Sequence, residues 1–353
     1  MNPLKLWVTF AVAYLALAVT GKLVYPEYFG RVEVGALLYA ILFMGCVLYG
    51  FLRGRSLPST MYLFLSILLL VPLGLNYLIS GALVMVTVYV IFRTGLERKA
   101  ALIAVVVSIA LVSVVALFKG FPIFKPELRY TWVSVPYLIA GDVLAIVLSI
   151  QPSPVFLVIG LVIATLGASR TVALAVFAAY LFRLSFEGKL RWEQLKDNRS
   201  TTIIILLLIV GVFFARYAVT ISENPHWKLG FLGTQLYRLG STYSVYEKLF
   251  EMGMPLGRHV LLFTPDPTGY VGKLFGKDVG YTYTIFGQPA YDFGILGLGE
   301  GILLGMALKE ASSSKVFGTF SFVVATLMLE IGIEAPFLAA ILYSSYLGRR
   351  GLG

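Results

Sequence analysis

Residues 154–186, PVFLVIGLVIATLGASRTVALAVFAAYLFRLSF, carry only two charges, Arg170 and Arg183, and the first lies at the middle of the run. As a single helix this stretch would be about 50 Å long, against a bilayer hydrocarbon core of about 30 Å. An arginine at the centre of a spanning helix costs about 2.5–3.5 kcal/mol on insertion scales. Gly167, Ala168 and Ser169 favour a turn just before it. The run therefore predicts two short helices broken at GASR, with Arg170 reaching water at the break. A second helix beginning near Thr171 would also aim its free N-terminal amides at any anion bound there.

The rest of the chain agrees with a membrane reading. Of 353 residues, 59% are hydrophobic and 13% charged, and the mean hydropathy is +0.87. These values exclude an ordinary soluble domain and predict an all-α, polytopic transmembrane helical bundle. The first apolar stretch, Leu6 to Val24, is long enough to span and is expected to stay as the first helix rather than be cleaved. Cys46 is the only cysteine, so one chain can form neither a disulfide framework nor a cysteine metal site.

Apolar stretches recur near 5–24, 34–52, 100–118, 132–150, 201–221, 291–308, 316–331 and 334–348. Residues 60–92 form a second long run, which divides near PLGLNYLISG as 154–186 divides at GASR. About twelve spans result. The whole chain, 1–353, then reads as one transmembrane domain, with 222–289 as a large extracytoplasmic loop containing short amphipathic helices. The net charge of +10 is no sign of nucleic-acid binding, because most of the Lys and Arg flank spans. The N-terminus, 53–59, 93–99, 183–199, 309–315 and the C-terminus hold 15 of the 28 basic residues. The short loops of the opposite set hold five: Lys22, Arg31, Lys119, Lys125 and Arg129. The positive-inside rule therefore places both termini in the cytoplasm and 222–289 outside, in a plasma (cytoplasmic) membrane protein.

On that outer side lie four arginines that the rule does not require: Arg170, Arg216, Arg238 and Arg258. Arginine forks recognise phosphate through paired hydrogen bonds. Both histidines, His226 and His259, fall in the same outer segment. Histidine is suited to take a proton from a hydroxyl near neutral pH. His259, beside Arg258, is the catalytic candidate, and His226, in ENPHWK, is given an interfacial structural role. Leu236, Tyr243, Tyr246 and Phe250 share one face at helical spacing, as in an amphipathic helix at the bilayer surface. Asp142, Asp292, Glu300, Glu330 and Glu334 are acidic residues in or near spans, for which structural ion pairing is the default. Asp292, at the outer mouth of the tenth span, is best placed for a functional role.

An outward-facing cavity with arginines, aromatics and a histidine suits an enzyme acting on a lipid-linked phosphate or pyrophosphate. A transporter or flippase of an anionic lipid-linked substrate is the alternative, for which an internal repeat and broken mid-membrane helices are expected. A purely structural membrane protein would not need the aromatic outer loop.

Several of these features resemble the oligosaccharide repeat-unit polymerases of the O-antigen polymerase (Wzy-like) family, which are related to O-antigen ligases. They are GASRT with Ser169 and Arg170, the outer segment 222–289, GMPLGRHVLLF within it, and YTIFGQPAYDFGILG with Tyr283, Phe286, Tyr291, Phe293, Gly294 and Gly297. The resemblance implies a GT-C-like bundle and a membrane glycosyltransferase that polymerises lipid-linked oligosaccharide repeat units. Its donor would be a polyprenyl pyrophosphate used on the outer membrane face. O-antigen-ligase-like transfer of glycan to another acceptor stays open. The implied partners are the polyprenyl-pyrophosphate-linked oligosaccharide, membrane lipid and other polysaccharide-assembly membrane proteins, with no nucleic acid.

The diphosphate is already a good leaving group, so the protein need only neutralise its growing charge while a sugar hydroxyl attacks the anomeric carbon. Arginine can do this without metal, and no D-x-D or E-x-D sequence occurs. The expectation is a metal-independent, inverting transfer with no cofactor. Arg170, Arg216, Arg238 and Arg258 would bind the diphosphate. His259 or Asp292 would serve as base or orienting group, and Tyr243, Tyr281, Tyr283 and Tyr291 would contact glycan or lipid.

Overall fold

The computed structural model of the chain describes residues 1–190, 199–224 and 226–353. Part of the expected cytoplasmic loop 183–199, residues 191–198, lies outside the described residues. The helices run in order α1 (Pro3–Val24), α2 (Val34–Arg53), α3 (Ser59–Leu68), α4 (Leu75–Arg93), α5 (Glu97–Lys119), α6 (Val135–Ile150), α7 (Pro154–Leu166) and α8 (Arg170–Phe186). Then follow α9 (Arg199–Glu223), α10 (Phe231–Gly253), α11 (Pro267–Leu274), α12 (Thr284–Phe293), α13 (Leu298–Ala311), α14 (Lys315–Ile331) and α15 (Ala335–Arg349). No strand occurs among the described residues.

Among the described residues six helical segments are long and apolar enough to cross a membrane: α1, α2, α4, α5, Trp132–Ile150 and Thr284–Ala311. Ser59–Leu73 and α7 are shorter apolar helices. The protein is a polytopic helical membrane protein. Exposed apolar side chains such as Leu83, Val86, Ile103 and Phe118 on α4 and α5 suit a lipid surroundings, where they cost nothing.

Both long runs divide. Residues 60–92 turn through a 3-10 segment, Val71–Leu73, that ends at Gly74 with φ +104°, a conformation open to glycine at little cost. The run 154–186 turns at Gly167–Ser169. The expected span 291–308 differs from the structure. Its helix begins earlier, at Thr284, and breaks at a 3-10 turn, Gly294–Gly297, before α13. Two close approaches require glycine at this break: a Cβ on Gly294, whose φ is +55°, would overlap the Pro255 carbonyl, and one on Gly297 would overlap the Pro289 carbonyl.

The described chain forms two compact units. The first comprises Met1–Leu6 and Ile91–Thr234, the second Trp7–Val90 and Gln235–Gly353. In the first, α6 packs on α5, α7 and α8, and α9 packs on α7. Glycine brings these helices together, since a Cβ on Gly141 would meet Val172 and one on Gly160 would meet Val176. In the second unit α13 lies along α2, and α15 packs on α3, α13 and α14. A Cβ on Gly50 would strike the Ile302 backbone, and one on Gly305 the Val47 backbone. These are the small-residue contacts by which helices associate without a hydrophobic driving force between them.

The segment 222–289 supplies α10, a 23-residue helix rather than a short one. Its expected apolar face is its buried face. Tyr243 and Tyr246 are fully buried, Tyr246 Oη donates to the Ala36 carbonyl at 2.5 Å, and Arg238 and Lys248 are exposed. A buried ion pair, Lys22–Glu247, ties the same helix to α1, and Glu247 also accepts from the Glu33 amide at 2.8 Å.

Candidate functional site

In the second unit the segment after α10 doubles back along the C-terminal end of α12. The Arg258 amide donates to the Tyr291 carbonyl at 2.8 Å and the His259 amide to the Asp292 carbonyl at 3.1 Å. Gly257, with φ +89°, passes so close to the Asp292 backbone that a side chain there would overlap it.

Below this crossing lies the Asp292 carboxylate, which is 0% exposed. Its Oδ1 accepts from the amides of Val260 at 2.9 Å and Leu261 at 2.7 Å. Its Oδ2 accepts from the Leu262 amide at 2.6 Å and from Gln288 Nε2 at 3.0 Å. Four donors on two oxygens hold a charged acceptor well, because such bonds are about twice as strong as neutral ones.

Above it, Arg258 and His259 are exposed. His259 sits at φ +58°, a region that a non-glycine residue enters only when its surroundings hold it there. Its ring lies 5.8 Å from that of Phe293, and Arg258 Nε donates to the Met252 carbonyl at 2.8 Å. The pair is thus presented outward on a loop whose backbone is fixed from beneath.

The tyrosines separate into two kinds. Tyr243 and Tyr283 are 0% exposed, and Tyr283 Oη donates to the Ile333 carbonyl at 3.0 Å. Tyr283 and Tyr291 belong to one core cluster with Leu249, Leu261 and Val271. Tyr291 is 4% exposed, and its hydroxyl lies 3.3 Å from that of Tyr270. Tyr281 alone of the four is half-buried, packing its ring 6.2 Å from Phe275. In this arrangement Tyr243 and Tyr283 offer no face to a ligand. Arg238 lies exposed on α10.

Beside the same loops, Glu334 precedes α15 at a helical turn.

The first unit holds Arg170 and Arg216. Arg170 is the first residue of α8, behind an N-cap made by Ser169, whose Oγ accepts from the Val172 amide at 3.4 Å. Ala168, at φ +50°, makes the turn that Gly167 and Ser169 lead the sequence to expect. Arg216 lies 3.8 Å from Glu223, which also binds Arg129 at 3.1 Å. One carboxylate thus serves two guanidinium groups. His226 is exposed in the turn before α10, next to Trp227, whose indole donates to Thr234 Oγ1 at 2.8 Å. Among the described residues no group of three or more His, Cys, Asp or Glu could hold a metal ion.

Sequence reasoning missed Gln288, Glu223 and the pairing of Arg129. Gln288 had a signal, since a Gln four residues before an Asp faces it on one helix. The Arg129–Glu223 pair had none, because its members are 94 residues apart.

The family model described as "Putative O-antigen polymerase" matches residues 7–346. No curated protein and no solved structure matches the chain.

Proposed function

As a member of the O-antigen polymerase family, this chain polymerises oligosaccharide repeat units in the membrane, and we propose that it does so on the outer face, drawing on a polyprenyl pyrophosphate donor. A hydroxyl oxygen of the acceptor glycan attacks the anomeric carbon of the donor sugar. The bond from that carbon to the diphosphate oxygen breaks, and the hydroxyl proton passes to a base. A single displacement inverts the anomeric centre, with no metal required.

The observation that carries this reading is the exposed Arg258–His259 pair on a backbone pinned by Asp292. His259 takes the proton of the acceptor hydroxyl, for which an imidazole is suited near neutral pH. Arg258 and Arg238 neutralise the diphosphate as charge grows on its leaving oxygen. Asp292 has its oxygens committed to four donors and serves as the orienting group of the loop. Tyr281, half-buried, is the aromatic contact for glycan or lipid. In the first unit, Arg170 and Arg216 are proposed as contacts for anionic groups of the same substrate class.

The test uses purified protein in lipid nanodiscs supplied with lipid-linked repeat units. His259→Asn keeps a residue tolerant of positive φ and removes the base. Polymer formation is expected to fall by a factor of about 10²–10⁴, the usual contribution of a general base, while donor binding persists. Chelation with EDTA is expected to leave synthesis unchanged. Full synthesis by His259→Asn would remove the histidine from the chemistry, and loss of synthesis in EDTA would overturn the metal-free mechanism.

A further inference from the structure

Past the loop anchored by Asp292 the chain continues into a structure that the proposed chemistry leaves unused. Residues Leu261–Phe263 form a 3-10 turn, and α11 follows at Pro267. Val271 of α11 is buried in one cluster with Leu261 and Tyr291, and the Tyr270 hydroxyl lies 3.3 Å from that of Tyr291. The helix α11 is therefore seated on the same core as the Arg258–His259 loop. The chain then folds back over it. The Lys277 amide donates to the Gly272 carbonyl at 3.0 Å and the Tyr281 amide to the Thr268 carbonyl at 3.0 Å, and a Cβ on Gly272 would overlap the Val279 carbonyl.

Between α11 and this return lies a cavity of about 260 Å³, lined by Asp266, Thr268, Lys273 and Asp278 and by Gly269 and Gly280. Its charged groups do not neutralise one another. Lys273 and Asp278 are exposed and form no ion pair or side-chain hydrogen bond among the described residues. Asp266 commits Oδ1, which accepts from the Gly269 amide at 2.9 Å and from Thr268 Oγ1 at 3.2 Å. The lining thus keeps an ammonium donor and carboxylate acceptors with unspent capacity. Two carboxylates stand against one ammonium, so its net charge is negative.

Size, polarity and place select the occupant. Sites for drug-sized molecules hold about 300–1,000 Å³ and are mostly apolar, so a smaller, polar cavity suits a single polyhydroxyl ring rather than a lipid tail. Hydroxyls both donate and accept, as this lining requires. A negative lining disfavours phosphate and carboxylate groups, which leaves the diphosphate to arginine. Asp266 follows His259 by seven residues, which reach at most about 25 Å when extended. An oligosaccharide can bridge that span.

We propose that this cavity binds one neutral sugar ring of the repeat-unit glycan, with Asp266 and Asp278 accepting from its hydroxyls and Lys273 donating to them. Tyr281, next in the chain to the lining Gly280, stands at its rim. The site rests on the reading of the chain as a polymerase working at the Arg258–His259 loop, and it holds the glycan while that loop meets the reacting groups.

The experiment uses purified protein in lipid nanodiscs. Saturation-transfer NMR is recorded with the methyl glycosides of glucose, galactose, mannose, N-acetylglucosamine and glucuronate, beside polymer synthesis from lipid-linked repeat units. Wild type is compared with the double variant Lys273→Ala/Asp278→Ala and with His259→Asn. Transfer to at least one neutral glycoside and none to the glucuronide is expected in wild type and in His259→Asn. In the double variant that binding should weaken at least about tenfold, as loss of hydrogen bonds to charged groups does. The KM of the repeat unit should rise by a similar factor with kcat nearly kept, the pattern of lost ground-state binding, whereas His259→Asn lowers kcat. Both substituted side chains are exposed, and equal helix content by circular dichroism serves as the control for folding. No transfer to any neutral glycoside, equal transfer in the double variant, or transfer to the glucuronide as strong as to the neutral sugars overturns the proposal. Transfer abolished by EDTA overturns it too, because a cation would then carry the contact. Glycoside binding that follows the expected pattern while His259→Asn keeps its kcat sinks the catalytic reading of the loop and leaves the sugar site standing.

Discussion

Asp292 has no oxygen left for a substrate, and that decides how its variants should behave. Asp292→Asn keeps the shape but turns an NH2 group toward amides that are themselves donors. The unmatched groups cost about 1–3 kcal/mol at a buried site. The variant should assemble in the membrane, expose the 258–263 segment to hydrogen exchange, and lose at least about tenfold in synthesis, a barrier rise of about 1.4 kcal/mol. Synthesis at the wild-type rate with a protected loop would detach the anchor from function. The sequence marked Asp292 for its position at the mouth of an apolar run. It could not reveal the three amides, because they come from residues 30–32 positions earlier. Tyr243 and Tyr283 read as ligand contacts by residue type, and the hydroxyl of Tyr283 is taken up by a partner at a distant position, Ile333.

At the scale of elements, glycine decides which helices meet. On α2, Gly45 faces open space, whereas Gly50 touches the Ile302 backbone of α13. Gly50→Ala should therefore destabilise the second unit by about 1–3 kcal/mol, as overpacking does, and Gly45→Ala should be nearly neutral. Thermal unfolding in detergent separates the two, and equal effects would mean that α2 and α13 do not pack this closely.

The helix breaks themselves were legible, because GASR and PLG hold residues that turn locally. The break at Gly294–Gly297 was not, since it answers to the Pro255 carbonyl across the fold.

For the whole molecule, the distribution of Lys and Arg gives an orientation that can be tested directly. Cys46 is the only cysteine, so a Cys46→Ser background permits single labels. Glu251→Cys, exposed on α10, should react in intact cells with a maleimide that cannot cross the membrane. Gly353→Cys should react only after the membrane is opened. The reverse pattern would put 222–289 in the cytoplasm and exclude synthesis on the outer face. Composition and hydropathy by themselves determined that the chain is a helical membrane protein, where its long apolar runs divide, and which arginines and histidines stand apart from the spans. These are local properties: helix and turn preferences act over a few residues, and transfer to lipid is summed along one segment. Only the tertiary structure decided that Asp292 anchors a loop, that Gln288 stands behind it, and that Arg258 and His259 are exposed together. Those facts depend on which donors and acceptors meet across long sequence separations, and hydrogen bonds are satisfied in space, not along the chain.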